Sequence, residues 1–158
     1  MAKHLILDEI ESLAGKAPNR ESFLSETARI INRHFPHYNW VGFYFLEGDK
    51  LQVGPYVGKP TPHTVIDLHQ GVCGAAVSQG VTIIVDDVNA DPRYLACSLE
   101  TRSEIVVPIR IEGKIVGELD IDSDRLAAFT AKDKALMEAV ADLVGKTLSR
   151  LGDPFGAG

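Results

Sequence analysis

The amino-acid sequence predicts an α/β protein of the α+β type, with a central, mostly antiparallel sheet and with N- and C-terminal helices packed on one face. Two stretches with helical spacing of apolar side chains open the chain, at residues 3–14 and 20–35, and a third closes it, at residues 131–151. Two strand pairs lie between them, at residues 39–57 and 104–122. Hairpins framed by helices favour an antiparallel sheet with helices on one side.

The length and composition indicate one globular domain. The chain has 158 residues, of which 45% are hydrophobic and 24% charged, so it can bury a sizeable core. We expect a single domain over residues 1–158, with a core at about residues 20–151. Residues 152–158 follow the glycine that ends the last helix, and we expect them to form a flexible tail.

The first helices pack through an apolar stripe. In the second helix, Asn19 follows Pro18 and suits the N-cap position, and Pro36 stops the helix. Phe23 and Ile31 belong to its apolar stripe, whereas its charged side chains fall on the opposite side. Both helices are therefore predicted to cover a sheet.

The first hairpin pairs residues 39–46 with residues 50–57 across a Gly48-Asp49 turn. The middle of the chain is less regular, with a short strand predicted at residues 64–68, a short helix at 71–78 and a strand at 81–85. Residues 86–103 form a long polar connection, and connections of that length are often functional.

The second hairpin is the clearest strand signal in the chain. Residues 104–111 and 114–122 flank a Glu112-Gly113 turn. Pro108 has no amide hydrogen for the ladder, so it predicts an edge position or a bulge. Thr130 then suits the N-cap of the closing helix.

Charge and hydropathy exclude several classes of partner. The formal net charge of −6 disfavours binding to nucleic acid or to an anionic membrane surface. No stretch is long and apolar enough for a transmembrane helix, and an acidic residue follows the start too soon for a secretory signal. We therefore expect a cytoplasmic protein, in which a disulfide would be transient and functional.

Cys73 and Cys97 are the only cysteines. Cys73 is flanked by a glycine and Cys97 lies in the long polar connection, so both are predicted to lie in loops rather than in the core. Cys73 also falls near the start of the short helix at 71–78. Exposed amide groups and the helix dipole at that end predict a lowered pKa for its thiol.

Acidic residues alternate with aliphatic ones in the last strand. Glu118, Asp120 and Asp122 share one face of that strand, and Leu119 and Ile121 share the other. An acidic strand face is more commonly a solvated surface. It is alternatively a pocket in which mutual repulsion keeps one carboxyl group protonated near neutral pH. The pattern alone leaves both interpretations open.

Two aromatic residues in the first strand pose a similar choice. Trp40, Gly42 and Tyr44 lie on one face of that strand, so a small residue separates two amphipathic rings. The rings are either ordinary core residues or the wall of a pocket. Core packing is the more common outcome for such residues.

No metal or phosphate site is predicted. The five histidines form no His-x-x-x-His pair, no Cys-x-x-Cys occurs, and the Asp120-x-Asp122 pair lacks the glycine-bearing loop of a calcium site. The histidines are therefore expected on the surface, and no bound cofactor is expected. A phosphate-binding glycine loop and a Gly-x-Ser-x-Gly nucleophile motif are also absent from the sequence.

Together, five motifs resemble the GAF domain, and more narrowly the single-domain free methionine-(R)-sulfoxide reductases. They occur in the order found in that family and cover most of the chain. The motifs are Asn39-Trp40-Val41-Gly42-Phe43-Tyr44, Gly71-Val72-Cys73-Gly74, Ala96-Cys97, Ser103-Glu104-Ile105-Val106-Val107-Pro108 and Gly117-Glu118-Leu119-Asp120-Ile121-Asp122-Ser123. The resemblance implies a single GAF-like domain that reduces free methionine sulfoxide.

The resemblance also implies roles for individual residues. Cys97 corresponds to the catalytic cysteine, and Cys73 to the cysteine of the Gly-Val-Cys-Gly motif. Trp40 and Tyr44 correspond to the aromatics that enclose the methyl sulfoxide end of the substrate. The acidic pocket residues that bind substrate and supply the proton correspond to Glu104, Asp120 and Asp122.

This sequence differs in one respect from many members of the family that it resembles. They carry a third cysteine, commonly the resolving one, shortly after a Gly-Lys pair, whereas Pro60, Thr61, Pro62 and His63 follow Gly58-Lys59 here. Cys73 is then either the internal partner that closes a disulfide with Cys97, for reduction by a thioredoxin-like dithiol, or a bystander at the start of a helix. It also implies a homodimer. The alternatives are a GAF module that only binds a small ligand and a redox sensor that uses Cys97 without turnover.

Overall fold

The computed structural model of the protein describes residues 2–94 and 100–151. Its regular elements are α1 Ala2–Lys16, α2 Arg20–His34, β1 Trp40–Glu47, β2 Lys50–Val57, β3 Val65–Asp67, α3 Gly71–Gln79, β4 Ile83–Val85, β5 Ser103–Ile111, β6 Lys114–Ser123 and α4 Ala131–Leu151. Each helix and strand predicted from the sequence is present, with bounds shifted by at most two residues.

The strands form one sheet in the order β3-β2-β1-β6-β5-β4, in which neighbouring strands are antiparallel. The two predicted hairpins, β1–β2 and β5–β6, are joined by pairing of β1 with β6, where Trp40 lies opposite Asp122. Strands from the two halves of the chain therefore meet at the centre of the sheet. The predicted α+β fold with a mostly antiparallel sheet is confirmed.

One face of the sheet carries the main apolar core. Val41, Phe43, Leu119 and Ile121 alternate onto that face and are fully buried beneath α2 and α4, and α1 packs on those two helices. The terminal helices therefore pack on one side, as predicted. The opposite face carries a smaller cluster in which α3 covers β5 and β6, with Val72 and Ala76 of the helix buried in it.

The predicted helix caps are confirmed. The amide of Ser22 donates to Asn19 Oδ1 at 2.9 Å at the start of α2. Before α4, the amide of Asp133 donates to Thr130 Oγ1 at 3.4 Å, and the amide of Thr130 donates to Asp133 Oδ2 at 2.8 Å. This reciprocal pair is a capping box, which satisfies backbone amides that the first helical turn leaves unpaired.

The prediction for Pro108 is also confirmed. β5 lies between β6 and β4, but β4 pairs only with Glu104, Ile105 and Val106. Pro108 lies beyond that pairing, and a register shift follows between Ile109 and Arg110. A residue without an amide hydrogen is tolerated there because the pairing of β5 with β4 has already ended at Val106.

The long connection after β4 contains a short 3₁₀ helix, Val88–Ala90, that the sequence did not predict. Asp87 accepts a hydrogen bond from the amide of Asn89 at 3.1 Å and so begins this turn. Cys97, on the same connection, lies outside the described residues, as does the predicted tail at 152–158. In the described part of the chain, no helix is long and apolar enough to cross a membrane.

Candidate active site

The sheet face beneath α3 brings together the predicted site residues that the structure describes. Directly opposed residues of antiparallel strands share a face. The opposed pairs on this face are Trp40 with Asp122, Gly42 with Asp120, Tyr44 with Glu118, and Glu104 with Asp122. The two aromatics of β1 and the acidic residues of β5 and β6 thus form one continuous surface.

Burial decides between the two interpretations of the acidic strand face. Glu104, Glu118, Asp120 and Asp122, which we call the acid cluster, expose 4%, 0%, 2% and 2% of their surface. A solvated sheet face would leave most of such side chains in water. The acid cluster is therefore a buried surface, and Glu104 of β5 joins the three acids of β6.

Burial raises the pKa of each member of the acid cluster. For Glu104, the charges of Asp120 and Asp122 raise the pKa further, and for Glu118 the charge of Asp120 does so. In Asp120 and Asp122, hydrogen bonds with Glu104 partly offset the effect of burial. Burial and mutual repulsion of four neighbouring carboxyl groups thus favour the protonated form over the ionised one in this site.

Cys73 corrects two expectations. It lies within the smaller apolar cluster and is 6% exposed, rather than in a loop outside the core. The pKa of its thiol is raised well above the ordinary value, mainly by burial and then by the charges of Asp120, Glu118 and Glu104. A helix N-terminus stabilises an anion by only about 0.3–1 kcal/mol, which desolvation beside several carboxyl groups outweighs.

The glycines around Cys73 position its thiol. Gly71 opens α3 with φ of +66°, a conformation that favours glycine. A Cβ at Gly74 would lie 2.8 Å from the carbonyl oxygens of Asp67 and Leu68, so only glycine lets α3 approach this turn. Cys73 then points at the sheet, and its Sγ donates to Asp120 Oδ2 at 3.4 Å.

The two aromatic residues are both core residues and pocket walls. Trp40 is 7% exposed and Tyr44 is 1% exposed, with ring centroids 6.2 Å apart. The Trp40 Nε1 donates to the carbonyl oxygen of Lys59 at 3.0 Å, and the Tyr44 hydroxyl donates to that of His63 at 2.7 Å. These two hydrogen bonds hold the backbone of residues 59–63 next to the Trp40 and Tyr44 rings.

Gly42 makes room for the Trp40 indole. A Cβ at Gly42 would lie 2.5 Å from the Trp40 ring and 2.6 Å from Tyr56 Cβ. Trp40 stacks on Tyr56 with ring centroids 5.0 Å apart, so the indole crosses directly over the glycine. The small residue between two rings is therefore a packing requirement of the pocket wall.

Replacing Gly42 with Ala is expected to displace the indole and to lower the free energy of unfolding by about 1–3 kcal/mol, the usual cost of overpacking. Urea unfolding followed by tryptophan fluorescence measures this, because Trp40 is the single tryptophan. Gly15→Ala is the matched control: it lies in α1 with no atom within 4 Å of the added Cβ, and helix propensity favours alanine. Equal stability of Gly42→Ala and wild type would contradict the proposed packing.

Two cavities adjoin the acid cluster. The outer cavity has a volume of about 360 Å³ and is lined by Asn39, Trp40, Gly58, Lys59, Thr61, Glu100, Thr101, Asp122 and Asp124. The inner cavity has a volume of about 10 Å³ and is lined by Tyr44, His63, Ile66, Gly71, Val72, Cys73, Glu104 and Asp120. The outer one is large enough for a small metabolite, and the inner one for roughly a single water or ion.

An ion pair closes one side of the outer cavity. Lys59 Nζ lies 2.9 Å from both carboxylate oxygens of Glu100. Both side chains are about 70% exposed, so the pair contributes little to stability. It does join Lys59 to Glu100, near the end of the connection that carries Cys97, and both residues line the outer cavity.

Some site residues were not assigned from the sequence. Glu118 was placed on the acidic strand face but given no role, although it is the most buried acid of the cluster. His63 was expected on the surface, yet it lines the inner cavity because the Tyr44 hydroxyl holds its backbone. No local pattern distinguishes His63 from the other histidines, so only the fold identifies it.

The structure also gathers a thiol and two carboxyl groups that are far apart in sequence. One ligand atom each of Cys73, Glu104 and Asp120 lies within 4.8 Å of the others. The sequence-based expectation of no metal site was based on spacing along the chain, which does not detect ligands from α3, β5 and β6. The described residues therefore include one set that could hold a cation.

The fold and the site define a class of protein. Residues 19–148 match the family model of the GAF domain. Free methionine-R-sulfoxide reductase of Escherichia coli is 37% identical over 76% of this chain and 73% of its own length, and that of Saccharomyces cerevisiae is 42% identical over 69% and 62%. The X-ray structure of the Neisseria meningitidis free methionine-R-sulfoxide reductase, in complex with its substrate, superimposes with a TM-score of 0.89 at 36% identity. It covers 94% of this chain and 90% of the other.

The GAF domain is thus the class to which the sheet, the helices and the buried pocket belong. Within that class, the chain belongs to the free methionine-(R)-sulfoxide reductase family. The family resemblance based on motifs in the sequence is confirmed.

Proposed function

We propose that this protein reduces free L-methionine-(R)-sulfoxide to methionine by thiol chemistry. The observation that carries the proposal is the buried sheet face on which the acid cluster lies beside the Cys73 thiol and the rings of Trp40 and Tyr44. In a chain of this family, these groups match the needs of a small zwitterion with a polar sulfoxide.

The first requirement is recognition of the substrate. Ionised members of the acid cluster attract its ammonium group, and the aromatic faces of Trp40 and Tyr44 contact its methyl end. Asp122 and Trp40 both line the outer cavity, which has the size for an amino acid. Because an ammonium group is required, a methionine sulfoxide within a peptide would lack the group that the carboxylates hold.

The second requirement is cleavage of the sulfur–oxygen bond. Cys97 thiolate attacks the sulfoxide sulfur while a carboxylic acid of the cluster protonates the oxygen, and methionine leaves as Cys97 becomes a sulfenic acid. The oxide is a poor leaving group without that proton. Raised pKa values in Glu104, Asp120 and Asp122 support the presence of a protonated carboxyl group at neutral pH.

The third requirement is recycling of the sulfenic acid. The Cys73 thiol attacks the sulfenic sulfur of Cys97, a disulfide forms and water leaves. The raised pKa of Cys73 makes it a poor first nucleophile, which supports this second-step role in a chain with two cysteines. A neighbouring carboxylate, Asp120 at 3.4 Å, takes the thiol proton.

An external dithiol of the thioredoxin type then reduces the disulfide by exchange, so the reaction as proposed needs no bound cofactor. Two further expectations remain part of the proposal: the cytoplasmic location, which was predicted from composition and hydropathy, and the homodimer, which the resemblance implies. Light scattering after gel filtration measures the dimer directly.

The proposed function is tested by a dithiothreitol-dependent assay on the free (R) sulfoxide, the free (S) sulfoxide and a peptide that contains methionine sulfoxide. We expect methionine only from the free (R) form. Failure to reduce that form would instead favour a GAF module that binds a small ligand or senses oxidants without turnover.

A further inference from the structure

The inner cavity brings together three side chains with the character of metal ligands. Cys73 of α3, Glu104 of β5 and Asp120 of β6 each offer an atom within 4.8 Å of the other two. Each of the three is more than nine-tenths buried, and together they line a space of about 10 Å³. Such a space holds one water molecule or one ion.

The separation of two of these atoms, the Cys73 sulfur and an Asp120 oxygen, matches the spacing of two ligands of a four-coordinate zinc ion. With zinc–sulfur and zinc–oxygen bonds of about 2.3 Å and about 2.0 Å, tetrahedral angles place the sulfur about 3.5 Å from the oxygen. The Cys73 Sγ and Asp120 Oδ2 are 3.4 Å apart. A cation between them therefore requires no rearrangement of α3 or β6.

Unpartnered oxygens provide a second and independent indication. Oδ1 of Asp120, which lines the inner cavity, and Oδ1 of Asp122 lack a hydrogen-bond partner among the described residues, and Glu118 is fully buried beside Cys73. No ion pair found in the described part of the chain includes a member of the acid cluster. Buried polar atoms in this state are unfavourable, and a cation would satisfy them.

We propose that Cys73, Glu104 and Asp120 bind a single zinc-class divalent cation, with Glu118 in reach as a fourth ligand. The thiolate selects a soft or borderline ion over Mg²⁺ and Ca²⁺, which prefer oxygen ligands alone. The ion occupies carboxyl groups that the proposed reaction uses, so it inhibits the reductase. Inhibition rests on the proposed function, but metal binding does not.

The first test is a Cd²⁺ titration of the reduced full-length chain, followed by the ultraviolet charge-transfer absorption of the cadmium–thiolate bond. We expect saturation at one ion per chain and displacement by Zn²⁺ but not by Mg²⁺. Cys73→Ser is expected to lose the absorption, Asp120→Asn to weaken binding by about tenfold or more, and Cys97→Ser to retain it. Retention of the absorption in Cys73→Ser would overturn the proposal.

The second test covers the case in which Cys73→Ser does not fold. In the Cys97→Ser chain, Cys73 is the only thiol, so mass spectrometry can follow its alkylation by iodoacetamide. We expect equimolar Zn²⁺ to slow alkylation by at least tenfold and EDTA to restore the rate. An alkylation rate that Zn²⁺ leaves unchanged would exclude the site, whether or not the protein reduces methionine sulfoxide.

Discussion

Cys97→Ser is expected to lower the rate of reduction of free methionine-(R)-sulfoxide by at least about a thousandfold, because the variant lacks the proposed nucleophile. A serine hydroxyl is far less nucleophilic than a thiolate and cannot form the sulfenic acid that stores the transferred oxygen. The measurement is methionine release with dithiothreitol as the reductant. Residual turnover near the wild-type rate would remove Cys97 from the proposed first step.

Cys73→Ser is the matched variant because it removes the other thiol and keeps the proposed nucleophile. It is expected to release one methionine per chain in a single turnover and to lose turnover driven by thioredoxin. The reason is that the sulfenic acid forms normally but has no internal partner in this chain, which has no cysteine at residues 59–63. Normal thioredoxin-driven turnover would show that another route recycles Cys97.

Glu118→Gln is expected to raise the free energy of unfolding near pH 8 by more than about 1 kcal/mol, the value of one pKa unit. Burial raises the pKa of Glu118 well above its ordinary value, so the folded protein holds a proton that the unfolded chain releases above about pH 4. Its contribution to stability is therefore present below about pH 4 and is lost as pH rises through the folded pKa. A glutamine side chain has nearly the same shape as glutamate but does not ionise, so the variant avoids this loss of stability at high pH.

Urea unfolding at pH 4 and pH 8 measures the effect of Glu118→Gln. The gain over wild type should be small at pH 4 and largest at pH 8. Glu11→Gln, on the exposed side of α1, controls for the loss of one carboxyl group at the surface. A variant that is less stable than wild type at pH 8 would show that the Glu118 carboxylate is compensated in the folded protein.

Local patterns predicted most of the fold. Helical spacing and capping residues such as Asn19 and Thr130 act within one turn, and the Gly48-Asp49 and Glu112-Gly113 turns connect adjacent strands. The 3₁₀ helix at Val88–Ala90 was missed because a single turn of helix produces no periodic signal. These features depend on neighbours in sequence, which is why the sequence reports them.

The candidate site was predicted less completely because its surroundings come from distant segments. Alternation placed Glu118, Asp120 and Asp122 on one strand face, but it could not distinguish water from protein above that face. The prediction of a lowered pKa for Cys73 was wrong for the same reason. The sequence correctly indicates that Cys73 lies near the start of α3, but it does not show that buried acids of the sheet lie opposite the thiol.

The sequence by itself determined the succession of helices and strands, the family motifs and the residue types available for thiol and acid chemistry. Only the tertiary structure decided that α3 covers the acidic strand face, that Glu104 of β5 joins it, and that Cys73 lies against Asp120. The physical reason is that an ionisable group responds to its dielectric surroundings and to charges within a few ångströms. Those surroundings are set by the packing of α3 on β5 and β6, which brings Cys73 to Asp120 across 47 residues of chain.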